Sequence, residues 1–274
     1  MRPDKTLRSK DMKITSLVEN QSNGILKGVH GLSLYIETPN HKILFDLGPD
    51  QTLFDNAETQ GIDLSAVDTV IISHGHADHG GALKRFLEIN STAKIYVQRK
   101  AFQKHYAKVL LLKAYIGLDA VLMHHPQIVL ADGGFDIDGE LKLFTVTNTE
   151  RCYSIANDTL YTDEGKDTFL HEQNLIIFGN TNVLVMGCGH TGVVNIMEKA
   201  AQYLPKVCVG GYHLFNPTTK KTVPNELLDA IAGELSAYDV RYHTCHCTGD
   251  TAFRYLSERV QNMSYLSCGN SIDI

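Results

Sequence analysis

One short segment concentrates side chains that bind metal ions. The stretch IISHGHADHGG (Ile71–Gly81) carries three histidines and one aspartate within six consecutive residues, directly after an apolar run. Residues two apart in an extended segment point the same way, so His74 and His76 can reach one ion. Asp78 and His79 follow a bend and are expected to face a second ion nearby. Imidazole with carboxylate suits Zn²⁺, and also iron or manganese, so the segment predicts a site for one or two ions.

Two later histidines are predicted to complete this metal site. His190 lies in a glycine-bracketed turn after the strand NVLVM and is the expected third ligand of the first ion, which would leave an open position. His246, in TCHCTG, is expected to serve the second ion with Asp78. Either histidine could instead have a structural role. Asp78 is also the predicted catalytic residue, because its carboxylate could orient a water molecule or carry its proton.

The cysteines leave alternatives open. Cys188 lies two residues before His190, where a thiolate could coordinate metal or a small buried side chain could fill space. Cys245 and Cys247 flank His246 and would face away from it in a strand, which favours packing. The six cysteines are scattered through a long chain, which favours reduced thiols and a cytoplasmic location.

Four further residues are predicted to face a substrate. His213, in GGYHL, ends a predicted strand at the same edge, although a supporting or core position also fits. Tyr115 belongs to the segment 101–125, whose mixed apolar pattern is interpreted as helices lying over a cleft. Thr248 and Gly249 precede a helix whose free N–H groups suit a phosphate, and ordinary capping is the alternative. Five other histidines are expected at the surface or along the lining of the cleft: His105, His124, His125, His171 and His243.

Composition limits the partners. The chain has 274 residues and a formal charge of −6, which argues against binding nucleic acid or anionic lipid. No apolar run reaches the ~20 residues needed to span a membrane. The polar residues 1–11 are expected to form a flexible arm, and residues 12–274 a single domain. The expected partner is a small molecule that bears a phosphate, and a homo-oligomer is compatible with the sequence.

The hydrophobic pattern predicts the elements that position these residues. A first strand is expected at 12–20, followed by a hairpin that turns at Pro39-Asn40 and by a buried strand ahead of the histidine loop. A second hairpin has Gly179-Asn180 at its tip, and the last third of the chain alternates helices with strands. This order suggests two sheets packed together with helices outside.

The motif H-x-H-x-D-H after an apolar strand resembles that of the metallo-β-lactamase superfamily. The resemblance implies an α+β fold, an αβ/βα four-layer sandwich with metals at one edge, and a metal-dependent enzyme. It also implies that Asp46, in ILFDLG, supports the metal loop rather than binding metal.

Several other motifs resemble one subfamily, the 7,8-dihydropterin-6-methyl-4-(β-D-ribofuranosyl)aminobenzene-5′-phosphate synthases. They are GCGHTGVVNI (187–196), GGYHL (210–214), HCTG (246–249), YIG (115–117) and EQ (172–173). The resemblance implies a hydrolase, or a synthase of this kind, acting on a small phosphorylated or carboxylated molecule, with zinc as the expected cofactor. Ala77 and Thr191 depart from the subfamily pattern, in which tryptophan and proline are usual. An iron-dependent oxidoreductase on the same ligands, or a non-enzymatic metal-binding or sensor protein, are the alternatives.

Overall fold

The computed structural model describes residues 12–109 and 112–274, so the predicted arm at 1–11 lies outside the described residues. The strands are β1 (Lys13–Val18), β2 (Ser33–Glu37), β3 (Lys42–Phe45), β4 (Thr69–Ile72), β5 (Lys94–Gln98), β6 (His105–Val109), β7 (Leu112–Tyr115), β8 (Ile128–Ala131), β9 (Phe135–Asp136), β10 (Leu141–Phe144), β11 (Leu160–Thr162), β12 (Gly165–Lys166), β13 (Asn174–Ile177), β14 (Val183–Val185), β15 (Val207–Gly210), β16 (Phe215–Asn216), β17 (Lys221–Thr222), β18 (Arg241–Thr244), β19 (Met263–Tyr265) and β20 (Ser271–Asp273). The α-helices are α1 (Thr52–Thr59), α2 (Ala77–Gly80), α3 (Leu83–Ile89), α4 (Val193–Ala200), α5 (Asn225–Leu235) and α6 (Asp250–Ser257).

The first sheet has seven strands in the order β20-β1-β2-β3-β4-β5-β8. Its predicted hairpin is present: β2 and β3 are antiparallel, with Leu34 opposite Phe45. Strands β3, β4, β5 and β8 then run parallel. Because strand side chains alternate, Leu34 and Phe45 face the core between the sheets, whereas Tyr35 and Leu44 face the outer helices.

The second sheet also has seven strands, in the order β19-β18-β15-β14-β13-β10-β9. Its strands β14, β15, β18 and β19 are parallel. Val183, Val185 and Val209 pack against the first sheet, and Leu184 and Cys208 pack under α4–α6. Both faces are therefore apolar, as in sheets that are covered by helices.

The helices form the two outer layers. Leu53 in α1 and Phe86 in α3 pack on the outer face of the first sheet. Ile196 in α4, Leu228 in α5 and Leu256 in α6 cover the second sheet. The predicted αβ/βα four-layer sandwich is thus confirmed. No helix in the described ranges is long and apolar enough to cross a bilayer.

The expectation of helices over the segment 101–125 is wrong. His105–Val109 and Leu112–Tyr115 form an antiparallel hairpin within a small sheet of order β12-β11-β6-β7, and only short 3₁₀ turns flank it. The hairpin is stabilised by partners distant in sequence, which a local pattern does not reveal. Its strand β6 pairs with β11, more than fifty residues later.

Candidate metal centre and cleft

The carboxyl ends of the parallel strands deliver the predicted ligands to one edge of the sandwich. Strand β4 runs directly into His74, β14 leads to His190, and β18 leads to His246. The ring centres of His74 and His190 lie 4.9 Å apart, and those of His79 and His246 also lie 4.9 Å apart. Loops at the carboxyl ends of parallel strands commonly form binding sites. The four histidines therefore converge as the sequence predicted.

Asp46 holds the histidine loop in place. Its carboxylate accepts hydrogen bonds from the Ser73 backbone N–H (2.7 Å), the Ser73 hydroxyl (2.7 Å) and His79 Nδ1 (2.6 Å). The residue is fully buried and has a positive φ of 61°, a conformation that non-glycine residues adopt at a cost. Asp46 thus contacts the loop from beneath, as the resemblance implied.

The first group of candidate ligands comprises His74, His76 and His190. One nitrogen from each lies within 4.8 Å of the other two. All three side chains are buried, and burial holds their pKa values well below the usual histidine range. The rings are therefore neutral and keep a lone pair for a metal. His74 Nε2 lies 3.0 Å from His76 Nδ1, and His190 Nε2 is buried without a hydrogen-bond partner, which fits nitrogens that coordinate an ion.

The second group comprises Asp78, His79 and His246. Asp78 Oδ2 lies 3.3 Å from His246 Nε2 and 3.6 Å from His79 Nε2, and the two imidazole nitrogens are 3.2 Å apart. Burial opposes the charged form of His79, but the carboxylates of Asp46 and Asp78 outweigh it and raise the pKa of His79 to about 9. A metal ion at Nε2 would replace that proton.

Hydrogen bonds at Nδ1 point the Nε2 atoms of four histidines toward this centre. The hydroxyl of Ser73 donates to Asp46, so its oxygen accepts the Nδ1 proton of His74 at 2.8 Å. Nδ1 of His79 donates to Asp46. Two asparagines accept the Nδ1 protons of the other rings. Asn157 Oδ1 lies 2.9 Å from Nδ1 of His190, and Asn20 Oδ1 lies 2.8 Å from Nδ1 of His246. Such contacts fix the tautomer that leaves Nε2 free to bind metal.

Two buried glutamates hold the turns that carry the later histidines. Glu172 accepts from the backbone N–H of His190 (2.7 Å) and from the N–H and hydroxyl of Thr191. Glu19 accepts from the backbone N–H of His246 at 2.6 Å. Burial raises the pKa of both carboxyls. Glu172 lies in the EQ motif, whereas nothing in the sequence pattern distinguished Glu19.

Cys188 lies between the two ligand groups. Its sulfur is 3.1 Å from His79 Nε2, and it forms a candidate metal cluster with His74 and His79. Burial raises the pKa of the Cys188 thiol, so ligation by its sulfur would require an ion to displace the proton. Cys247 donates through its sulfur to the Cys188 carbonyl oxygen and also lines the cleft, while Cys245 is buried in the core between the sheets.

A cleft of about 370 Å³ opens above these ligands. Tyr115 and His213 line it. Thr248 and Gly249 do not: Thr248 is fully buried and its hydroxyl contacts Thr244 and the Tyr212 backbone N–H. Gly249 is covered by the ring of Phe215. The structure therefore does not bring the predicted anion-binding turn into the lining.

Histidines that the sequence left unassigned lie close to the centre. His30 lines the cleft, with Nε2 3.3 Å from Asp78 Oδ2. His105 and His171 are buried rather than exposed or lining, because both bond to the buried carboxylate of Asp167, at 3.0 and 3.1 Å. His171 Nδ1 also accepts from the Gly75 N–H, so this cluster supports the loop from behind. These residues come from separate segments, and no spacing signal links them.

The remaining unassigned histidines lie away from this centre. His124 is exposed, and His125 and His243 are partly buried. None of these three histidines is among the described residues that line the cleft.

Two packed sheets with histidine and aspartate ligands at one edge define a class of αβ/βα metal-site proteins. The chain belongs to the metallo-β-lactamase superfamily, whose family model matches residues 26–199. It thus has a hydrolase-like fold with a candidate metal site.

Relatives and solved structures extend this assignment. An uncharacterized protein of Methanocaldococcus jannaschii is 28% identical, with 95% of this chain and all of the relative covered. The 7,8-dihydropterin-6-methyl-4-(beta-D-ribofuranosyl)-aminobenzene-5'-phosphate synthase of the same organism is also 28% identical, with 96% of each chain covered. The crystal structure of Tm1679, a metal-dependent hydrolase of the beta-lactamase superfamily, shares the fold with a TM-score of 0.81 at 24% identity, covering 96% of this chain and 99% of the other.

Proposed function

We propose that this protein is a metal-dependent hydrolase of a small molecule that carries a phosphoryl or carboxyl group. The observation that carries the proposal is the convergence of two ligand groups at the floor of one cleft, with His74 Nε2 3.0 Å from His76 Nδ1 and an unpartnered, buried Nε2 on His190. Buried polar atoms without partners are uncommon in native proteins, and the His190 nitrogen belongs to a group of candidate metal ligands.

The donor set fits zinc. His74, His76 and His190 would hold a first ion, and Asp78, His79 and His246 a second, with Cys188 beside both. Three protein ligands per ion are typical of catalytic sites with an open position. Iron and manganese accept the same nitrogen and oxygen donors, so the metal is decided by measurement. When bound, such an ion lowers the pKa of a coordinated water toward ~7 and polarises the oxygen under attack.

The residues around the floor divide the remaining work. Asp78 is the only carboxylate among the described residues that line the cleft, so it is placed to orient a water molecule and accept its proton. His30 lies 3.3 Å from Asp78 at the cleft mouth and is half exposed, so it can pass that proton to solvent. Asn157 and Asn20 keep the rings of His190 and His246 oriented.

A synthase is the second candidate. The 28% identity to the M. jannaschii synthase over nearly the whole of both chains supports it. That activity would transfer a phosphoribosyl group from a pyrophosphate-bearing donor to an aromatic carbon rather than to water, and would release pyrophosphate and the carboxyl group of that carbon as CO2. It would use the same metal ligands, so turnover of simple esters separates the two candidates.

The test combines metal analysis with an ester panel. We expect the purified full-length protein to bind one or two zinc ions and to hydrolyse aryl phosphate or aryl carboxylate esters. His190→Ala should lose both metal and turnover, because it removes a ligand of the first group. His124→Ala is the matched control, since His124 is exposed and lies outside the cleft lining. Metal bound at full occupancy without turnover of any ester would contradict the hydrolase and favour the synthase.

A further inference from the structure

The walls of the cleft are largely apolar, with Thr159 and Thr218 as hydroxyl-bearing exceptions, in contrast to its metal-binding floor. The apolar part comes from three regions of the fold: the β6–β7 hairpin and the residue after it, the start of β11 with the turn before it, and β16. The apolar residues are Ala107, Tyr115, Ile116, Ala156, Leu160 and Phe215. Tyr115 is 52% exposed, so much of its ring remains available to a ligand. A bound molecule would therefore contact carbon on most sides above the floor.

Positive charge is lacking along these walls. Among the described residues that line the cleft, none is a lysine or arginine. The two lysines of the hairpin are engaged elsewhere: Lys108 lies 3.7 Å from the centre of the Tyr161 ring, and Lys113 lies 3.4 Å from that of Tyr106. Asp78 adds negative charge at the floor. A ligand with several negative charges would find few partners outside the metal site, and unpaired charges are costly to bury.

The side chain of His213 lies between the metal-binding floor and the apolar walls. His213 is 5% exposed, lines the cleft, and has no hydrogen-bond partner at either ring nitrogen. Its ring centre lies 4.2 Å from that of His190, and its positive φ of 45° is a strained conformation for a histidine. An imidazole ring offers at least one N–H, which suffices for one oxygen of a bound anion.

We propose that the cleft selects a substrate with a single anionic group and an uncharged apolar body about the size of one ring. The anionic group would lie at the metal site and against His213, and the body would lie between Tyr115 and Phe215. The volume of about 370 Å³ is near the lower end of the ~300–1,000 Å³ range of ligand pockets, which suits a single ring. The proposal rests on the proposed function, and it disfavours donors that carry pyrophosphate.

Binding of three probes to the zinc-loaded, full-length protein tests this selectivity. Affinities are measured by calorimetry. Phenylphosphonate carries an anionic group and an apolar ring, methylphosphonate carries the same group without the ring, and pyrophosphate carries additional negative charge. We expect phenylphosphonate to bind roughly 10- to 200-fold more tightly than methylphosphonate, and pyrophosphate to bind no more tightly than phenylphosphonate. Zinc content is measured after each titration, because pyrophosphate can also remove zinc. Equal binding of the two phosphonates, no binding of either, or tighter binding of pyrophosphate would overturn the proposal.

Wall variants locate the preference. Phe215→Ala and Tyr115→Ala should each lower the ratio of phenyl- to methylphosphonate affinity several-fold. Val121→Ala, at an exposed position outside the lining, should leave the ratio unchanged. If both wall variants keep the wild-type ratio, the walls do not select the body.

The outcomes separate this proposal from the proposed function. A phenyl preference without hydrolysis of any ester would refute the hydrolase and keep the cleft assignment. Hydrolysis of an ester together with tighter binding of pyrophosphate-bearing ligands would refute the cleft assignment and keep the hydrolase.

Discussion

Replacing Asn157 should weaken metal binding although Asn157 is not a ligand. Its Oδ1 accepts the Nδ1 proton of His190 at 2.9 Å, and its Nδ2 donates to the His190 carbonyl oxygen, also at 2.9 Å. Asn157→Ala removes both contacts and frees the imidazole to change tautomer. Loss of such an outer contact typically lowers metal affinity about 10- to 100-fold, which corresponds to about 1.4–2.8 kcal/mol of binding free energy.

The same substitution should lower the free energy of unfolding. Asn157 is 2% exposed, so the carbonyl of His190 would be left buried with its side-chain donor missing. Each lost hydrogen bond contributes about 1 kcal/mol, and a buried unsatisfied group adds about 1–3 kcal/mol. The two lost hydrogen bonds and the unsatisfied carbonyl together should make the metal-free variant about 3–5 kcal/mol less stable than wild type.

Competition with a chelator of known affinity measures the loss of metal affinity, and unfolding by denaturant measures the loss of stability. Asn90→Ala is the matched control, because Asn90 is equally buried and donates to three backbone carbonyls far from the metal centre. It should lose stability and keep metal affinity. Asn157→Asp keeps an acceptor for His190 Nδ1 and should retain more metal than Asn157→Ala. Wild-type zinc affinity in Asn157→Ala would refute the assigned orientation of His190.

Three further predictions address other residues. Cys188→Ser should lower the number of bound ions without unfolding the protein if the sulfur is a ligand, and unchanged metal content would show that Cys188 only fills space. His213→Ala should weaken phosphate inhibition and turnover but leave zinc content unchanged, and normal values of both would exclude His213 from substrate contact. Burial alone would lower the pKa of His41, but hydrogen bonds to Asp68 and Asp138 raise it. The pair contacts should therefore stabilise the protein fully below pH ~6.5 and lose this effect as the pH rises through the higher folded-state pKa. Unfolding of wild type and His41→Asn across pH 5–9 should show a difference that shrinks with rising pH and stays below ~1 kcal/mol, since the carboxylates are partly exposed; a difference that grows would contradict it.

The sequence predicted that these side chains converge because its signals are local. His74, His76, Asp78 and His79 occur in one loop, and the apolar run before them marks a parallel strand whose end must reach the sheet edge. The same reasoning placed His190, at the end of β14, near them. The two hairpins followed from alternation and from turn residues, and the two packed sheets followed from the order of strands and helices.

The rest depended on contacts between distant segments. The cluster of His105, Asp167 and His171 joins a hairpin strand to a loop sixty residues later, and its parts show no common spacing. His30 lies in a loop after β1 that carries no motif. The Thr248-Gly249 turn does begin a helix, as predicted, but packing against Phe215 and Thr244 removes it from the cleft.

The candidate ligands are divided between the two sheets. The loop after β4 in the first sheet supplies His74, His76, Asp78 and His79, and turns of the second sheet supply His190 and His246. Neither half of the chain can therefore hold an ion with a full set of ligands. An ion that binds only the assembled protein would add about 2.7 kcal/mol to its stability at a concentration one hundred times the dissociation constant. Removal of the ion by a chelator should accordingly weaken the association of the two sheets. An unfolding intermediate with the sheets separated should become populated only in the metal-free protein.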